Sequence, residues 1–129
     1  MKDTGFLKTS FLLIFPVLVG SFLRYLWLQN NFHVLVSDEI AYHTLAVTLV
    51  ARQPYGIPFW PPGYPMILAM LYRVFGTASI VGLYFNLLIS ILTVVLTAGV
   101  AYRLFGRSAA LLSVWIISFM PSYILPVVL

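Results

Sequence analysis

Cysteine is absent from this chain of 129 residues, which excludes a disulfide framework and a thiolate metal site. Charge is scarce too: seven Lys and Arg with three Asp and Glu make up 8% of positions, where a soluble domain carries about a quarter. That scarcity excludes a soluble globular fold. The seven cations stand singly and form no basic run, so the net charge of +4 does not point to nucleic acid. Asp3, Asp38 and Glu39 are the only acids, which leaves few places for acid–base chemistry.

What fills the chain is apolar: 62% of residues, with a mean hydropathy of +1.03. Residues 78–102 and 108–129 contain no charge, and each is long enough to cross a bilayer, for which about 20 residues suffice. A third apolar stretch at about 7–28 follows Lys2 and Lys8 and ends on Arg24, Tyr25 and Trp27, where Arg24 is expected to snorkel to the headgroups. No small-residue cleavage pattern follows its apolar core, so it reads as a retained span and not as a signal peptide. The expected class is therefore all-α and integral to the membrane, with three transmembrane helices at about 7–28, 78–102 and 108–129. Arg103-Leu104-Phe105-Gly106-Arg107 is the expected turn of a hairpin between the last two. The apolar end Val127-Val128-Leu129 points to the N-terminal part of something longer.

Between the first two spans, 29–77 is different. It holds two of the three acids, both histidines, and five prolines at 54, 58, 61, 62 and 65. Prolines at that density cannot continue a helix through lipid, so 29–77 is expected to lie at the membrane surface. Two short interfacial helices fit inside it. One, at about 38–52, has Ser37 as cap and Asp38 and Glu39 in its first turn, where the helix dipole favours carboxylates. The other, at about 65–75, is too short to span and stops at Gly76. Arginines in the 103–107 turn and lysines near the start place both on the cytoplasmic side of the cell membrane, which puts the loop outside.

The chemistry-bearing side chains gather in this loop. Asp38 is either a general base for a hydroxyl acceptor or simply the acid that stabilises its own first helical turn. Glu39 and His43 are four apart and meet on a helix, which makes half of a divalent-metal site or an ordinary helical contact; two ligands do not hold a metal. No cofactor is required by the pattern. His33 has no partner at useful spacing. Arg52 and Arg73 are candidates for a phosphate or for headgroup anchoring. Tyr55, Phe59, Trp60 and Tyr64 form an aromatic surface suited to sugars or acyl chains, a pattern shared with ordinary interfacial belts. Asn86, inside the second span, is expected to hydrogen-bond another helix, and Pro121 to kink the third.

The order of these pieces says more than any one of them. Ser37-Asp38-Glu39-Ile40-Ala41-Tyr42, then Pro61-Pro62-Gly63-Tyr64-Pro65-Met66-Ile67-Leu68-Ala69, then Tyr72-Arg73-Val74-Phe75-Gly76 and Tyr102-Arg103-Leu104-Phe105-Gly106-Arg107-Ser108-Ala109-Ala110 together resemble the N-terminal part of the GT-C glycosyltransferases. Within them the pattern is similar to bacterial relatives of protein O-mannosyltransferase (glycosyltransferase family 39) and of the lipid A aminoarabinose transferase, over about residues 7–129. The resemblance implies a multi-pass enzyme that moves a sugar from a polyprenyl-phosphate carrier to an acceptor on the outer face, with inversion at the anomeric carbon. It also implies that Asp38 is the base, that Glu39 assists in acceptor or metal contact, and that Pro61, Pro62, Gly63 and Tyr64 border the donor cavity. Relatives place Arg or Lys directly before the two prolines, whereas Trp60 stands here, which leaves Arg52 as the substitute for phosphate. Such enzymes have many more spans, so a completing C-terminal part or other membrane subunits are expected. The competing reading is a non-catalytic small membrane protein or partner subunit; a transporter fragment fits less well, since the polar residues are not near mid-membrane.

Overall fold

The computed structural model describes residues 3–30, 38–56 and 59–120, with side chains from residue 11 onward. Five helices account for most of it: α1 (Asp3–Asn30), α2 (Asp38–Val50), α3 (Gly63–Phe75), α4 (Ser79–Phe105) and α5 (Arg107–Phe119). There is no strand among the described residues. The helices sort into two compact units. One contains α1, α5 and α4 from Leu87 onward; the other contains α2, α3 and the first turns of α4 up to Asn86.

Two helices are long and apolar enough to cross a membrane, through the 20 residues Phe11–Asn30 and the 27 residues Ser79–Phe105. At 1.5 Å per residue these are about 30 Å and 40 Å long, against a hydrocarbon thickness of about 30 Å. Their large apolar side chains face outward, among them Phe11, Leu18, Phe22, Leu88, Leu96 and Val100. Where a third span is expected stands α5, a shorter apolar helix whose 13 residues cover about 20 Å, and 121–129, including the expected Pro121 kink, lie outside the described residues.

In the first unit the expected hairpin between α4 and α5 is replaced by a different pairing. Helix α4 runs on through Arg103 and Leu104 to Phe105, so the five-residue turn shrinks to Gly106, at φ +84. The Gly106 N–H donates to Tyr102 O at 3.0 Å, and Gly106 O accepts from the Ala110 N–H at 3.2 Å. One residue is shorter than the two to five that let two helices fold back side by side, so α5 packs along α1 instead.

Small residues make that approach close. A Cβ built on Gly20 would lie 2.6 Å from Ser118 O and 3.0 Å from Ser118 Cβ, so only glycine fits there. One turn further along α1 the structure corrects the expectation for Arg24. Its side chain does not snorkel outward; it is 1% exposed, and Nη2 donates to Ile117 O at 3.0 Å. Ile117 lies in the last turn of α5, which ends at Phe119, so its carbonyl has no N–H further along the helix to bond. The guanidinium supplies the missing donor at the negative end of the α5 dipole. A half-open cavity of about 290 Å³ lies in the same unit, lined by Leu13, Ile14, Val17 and Leu18 of α1, Val95 and Ala98 of α4, and Val114 of α5. It offers van der Waals surface and no polar side chain.

In the second unit α2 packs on α3. Helix α3 starts two residues earlier than the sequence suggests, at Gly63, because Pro65 falls in the first turn, where a missing N–H leaves no intrahelical bond unmade. Its first bond runs from Met66 N to Pro62 O at 3.0 Å, and it ends at Gly76, φ +93. It buries Pro65, Leu68, Ala69 and Tyr72, one helical face. Helix α2 buries Glu39, Leu45 and Ala46. It stops at Val50, short of Arg52, in a Schellman closure: Gln53 N donates to Thr48 O and Arg52 N to Leu49 O, both at 3.1 Å. Arg52 holds the left-handed position of that motif, φ +58, where glycine is the usual occupant.

Candidate functional site

The second unit brings the acid pair and the Pro-Pro-Gly-Tyr segment together. Asp38 and Glu39 open α2, but their surroundings differ. Asp38 is exposed at the helix start, while Glu39 is only 3% exposed. A carboxylate buried so deeply requires polar partners, because transferring it from water unaided is very costly. Tyr64 feels its charge, and Tyr64 belongs to an aromatic group that joins α2 to the entry of α3. Tyr42 meets Tyr64 edge-on with ring centroids 5.2 Å apart, and meets Trp60 in the same manner at 5.4 Å. Trp60 in turn meets Phe59 at 5.1 Å, and the Tyr55 hydroxyl donates to the Trp60 carbonyl at 2.5 Å, which fixes the segment ahead of Pro61.

Tyr64 is the centre of this group. Its hydroxyl donates to Asn86 Oδ1 at 2.8 Å, tying the first turn of α3 to the third turn of α4. Asn86 is thus a bond between helices, as its place in an apolar run suggests. Burial pushes the Tyr64 hydroxyl up to about 12; the bond to Asn86 opposes the rise, and Tyr72, Glu39 and Tyr42 add to it electrostatically. Tyr64 therefore stays protonated at neutral pH, a fixed donor within the electrostatic reach of the Glu39 carboxylate.

A second pair lies deeper between α2 and α3. His43 Nδ1 and the Tyr72 hydroxyl are 2.9 Å apart, their rings edge-on at 5.5 Å. Burial lowers the His43 imidazole below 6.5 and raises the Tyr72 hydroxyl above 10.0. One ring nitrogen of His43 is thereby committed to Tyr72, not to the metal half-site that its spacing from Glu39 allows. Among the described residues no three His, Cys, Asp or Glu side chains gather closely enough to hold a metal ion.

The remaining candidates sit at the edge. Pro61, Pro62 and Gly63 are exposed and form the entry to α3. Arg52 is exposed beyond the end of α2, and Arg73 Nη2 reaches the Leu49 carbonyl at 3.4 Å, in the last turn of α2. His33 and Ser37 lie outside the described residues. Sequence reasoning overlooked Tyr72 as the partner of His43; the signal that would have found it is its place on the buried face that begins with Pro65 and Leu68. Chemically the group combines an exposed acid, a buried acid, a phenol whose proton is committed to Asn86 and an aromatic wall. That set suits a hydroxylated ring better than a metal. No protein-family model, no curated protein and no solved structure matches this chain.

Proposed function

We propose that this chain contributes the outer-face acceptor and donor loop of a membrane glycosyltransferase, which moves a sugar from a polyprenyl-phosphate carrier to a hydroxyl acceptor. The observation that carries the reading is the meeting of α2 with the entry to α3: Tyr42, one turn after Asp38, packs on Trp60 and Tyr64, and Glu39 acts electrostatically on Tyr64. In this reading α1 and α4 cross the membrane, α5 begins the third crossing, the N-terminus and Gly106 lie on the cytoplasmic side, and α2 and α3 lie outside.

The acceptor hydroxyl gives its proton to the exposed carboxylate of Asp38 as its oxygen bonds to the anomeric carbon. The bond from that carbon to the carrier phosphate breaks on the opposite side, so the configuration inverts and the phosphate leaves with the electron pair. The Tyr42 and Trp60 rings face the sugar's apolar side, the Tyr64 oxygen, its proton held by Asn86, accepts from a sugar hydroxyl, buried Glu39 stands behind them, and Arg52 receives the departing phosphate. A general base of this kind contributes about 10²- to 10⁴-fold in rate. Asp38→Asn in the natural membrane protein should therefore lower sugar release from a polyprenyl-phosphate donor by at least about 100-fold, with membrane insertion unchanged. Full turnover in that variant removes Asp38 as the base.

A further inference from the structure

Helix α3 is apolar on two opposite sides, and only one of them is covered. The side holding Pro65, Leu68, Ala69 and Tyr72 is buried. On the other side Met66, Ile67, Met70 and Val74 fall at the i, i+1, i+4 and i+8 positions of one stripe, and Met70 and Val74 are 67% and 74% exposed. A helix apolar all round is stable where both sides meet something other than water. Arg73 is the only charge on α3, in its last turn, and the exposed ring of Phe59 stands ahead of its first.

The chain's own connectivity says what covers the stripe. Phe75 and Ser79 are four Cα steps apart, which the backbone can stretch to about 14 Å at most. Ser79 begins α4, one of the two helices long and apolar enough to cross a membrane. The end of α3 is thereby tethered within about 14 Å of the point where α4 enters the hydrocarbon. By contrast α2, whose large exposed apolar residue is Ile40, carries no comparable stripe.

We infer that α3, and not α2, lies in the membrane interface, with Met66, Ile67, Met70 and Val74 among the acyl chains and Arg73 at the level of the lipid phosphates. The bound partner is the lipid surface itself. The inference rests on α4 crossing the membrane and is independent of sugar transfer. It extends the functional reading, since Tyr64 and its neighbours are then held at headgroup depth, where a lipid-borne phosphate is met.

Because the chain has no cysteine, single labels can be placed cleanly. The variants Met70→Cys and Val74→Cys, with Leu96→Cys on α4 as the lipid reference and Gln53→Cys as the aqueous one, would carry a nitroxide. The full chain would be reconstituted in vesicles of phosphatidylcholine and phosphatidylglycerol. Power saturation then compares collisions with oxygen, which concentrates in lipid, and with a water-soluble nickel chelate. Positions 70 and 74 should follow Leu96, with oxygen dominant, and reverse the order found at Gln53. Nickel dominance at 70 and 74 places the stripe in water, and low collision rates with both reagents mean that protein covers it; either result overturns the inference. Leu96 reports separately on α4, so failure of the membrane reading itself is distinguishable from failure of the α3 assignment.

Discussion

Substituting Gly20 by alanine tests the α1–α5 contact with a single methyl group. The new Cβ would stand 2.6 Å from the Ser118 carbonyl oxygen, a backbone atom that no rotamer change can remove, whereas ordinary contact begins at 3.4 Å. Helices α1 and α5 must separate by about 0.8 Å at that point, the difference between those two distances. One turn away the Arg24 to Ile117 O bond, now 3.0 Å, would lengthen by a similar amount and pass beyond hydrogen-bonding distance. Overpacking costs about 1–3 kcal/mol and the lost bond about 1, offset by about 1 from the better helix propensity of alanine. The net expectation is destabilisation by about 1–3 kcal/mol. Gly99→Ala is the matched control: it is also a glycine inside a membrane-length helix, its Cβ would meet nothing within 4 Å, and only the propensity gain of up to about 1 kcal/mol applies. Reversible unfolding in mixed dodecylmaltoside and SDS micelles, followed by circular dichroism, gives both values. If Gly20→Ala proves as stable as Gly99→Ala, α1 and α5 do not cross at Gly20 and Ser118, and the packing of the first unit is wrong.

Other measurements bear on the same features. Arg24→Met removes the donor to Ile117 O and should destabilise the first unit by about 1 kcal/mol or more in the same micelle unfolding assay; unchanged stability removes that bond as a tie between α1 and α5. Arg52→Gly should raise stability by about 1 kcal/mol by relieving a left-handed arginine, and should weaken donor affinity in a transfer assay if Arg52 receives the phosphate. Tyr64 is held protonated in the fold, so its stabilisation is complete below about pH 10 and fades as pH rises to about 12; absorbance at 295 nm should show one tyrosine ionising near that upper value, and Asn86→Leu should alter it. For His43 the sign is opposite: the buried ring resists protonation, so stability should fall as pH drops below 6.5, and an imidazole NMR titration at or above 6.5 contradicts its burial against Tyr72.

The helical class and the two membrane-length helices were legible because both depend on local composition: long uncharged runs admit few alternatives. So was the bond made by Asn86, because an amide in an apolar run must find a partner. What escaped the sequence depends on contacts between distant positions. Arg24 and Ile117 are 93 residues apart, and nothing near Arg24 announces that the end of another helix has a carbonyl open for it. Arginine at the end of an apolar run ordinarily snorkels, and here a tertiary partner won. The α4–α5 turn was misjudged for a different reason: arginines at 103 and 107 suggested a polar loop, yet Arg103-Leu104-Phe105 has ordinary helix propensity and only Gly106 breaks the run. In the candidate site the acids and the Pro-Pro-Gly-Tyr segment stood out by residue type, but the contrast between exposed Asp38 and buried Glu39 is set by how α2 rotates against α3, which the near-uniform apolarity of α2 does not encode.

The single residue between α4 and α5 also limits how the first unit can move. A loop of several residues would absorb a small displacement of either helix by many minor torsional adjustments, whereas at Gly106 one φ, ψ pair sets the bearing of all 13 residues of α5. Rotation of that swivel by about 10° would carry the far end of a 20 Å helix through about 3.5 Å, more than the clearance at Gly20 and Ser118 allows. The corner and the crossing therefore act as two pins on one rod, and α5 is braced by geometry at both ends.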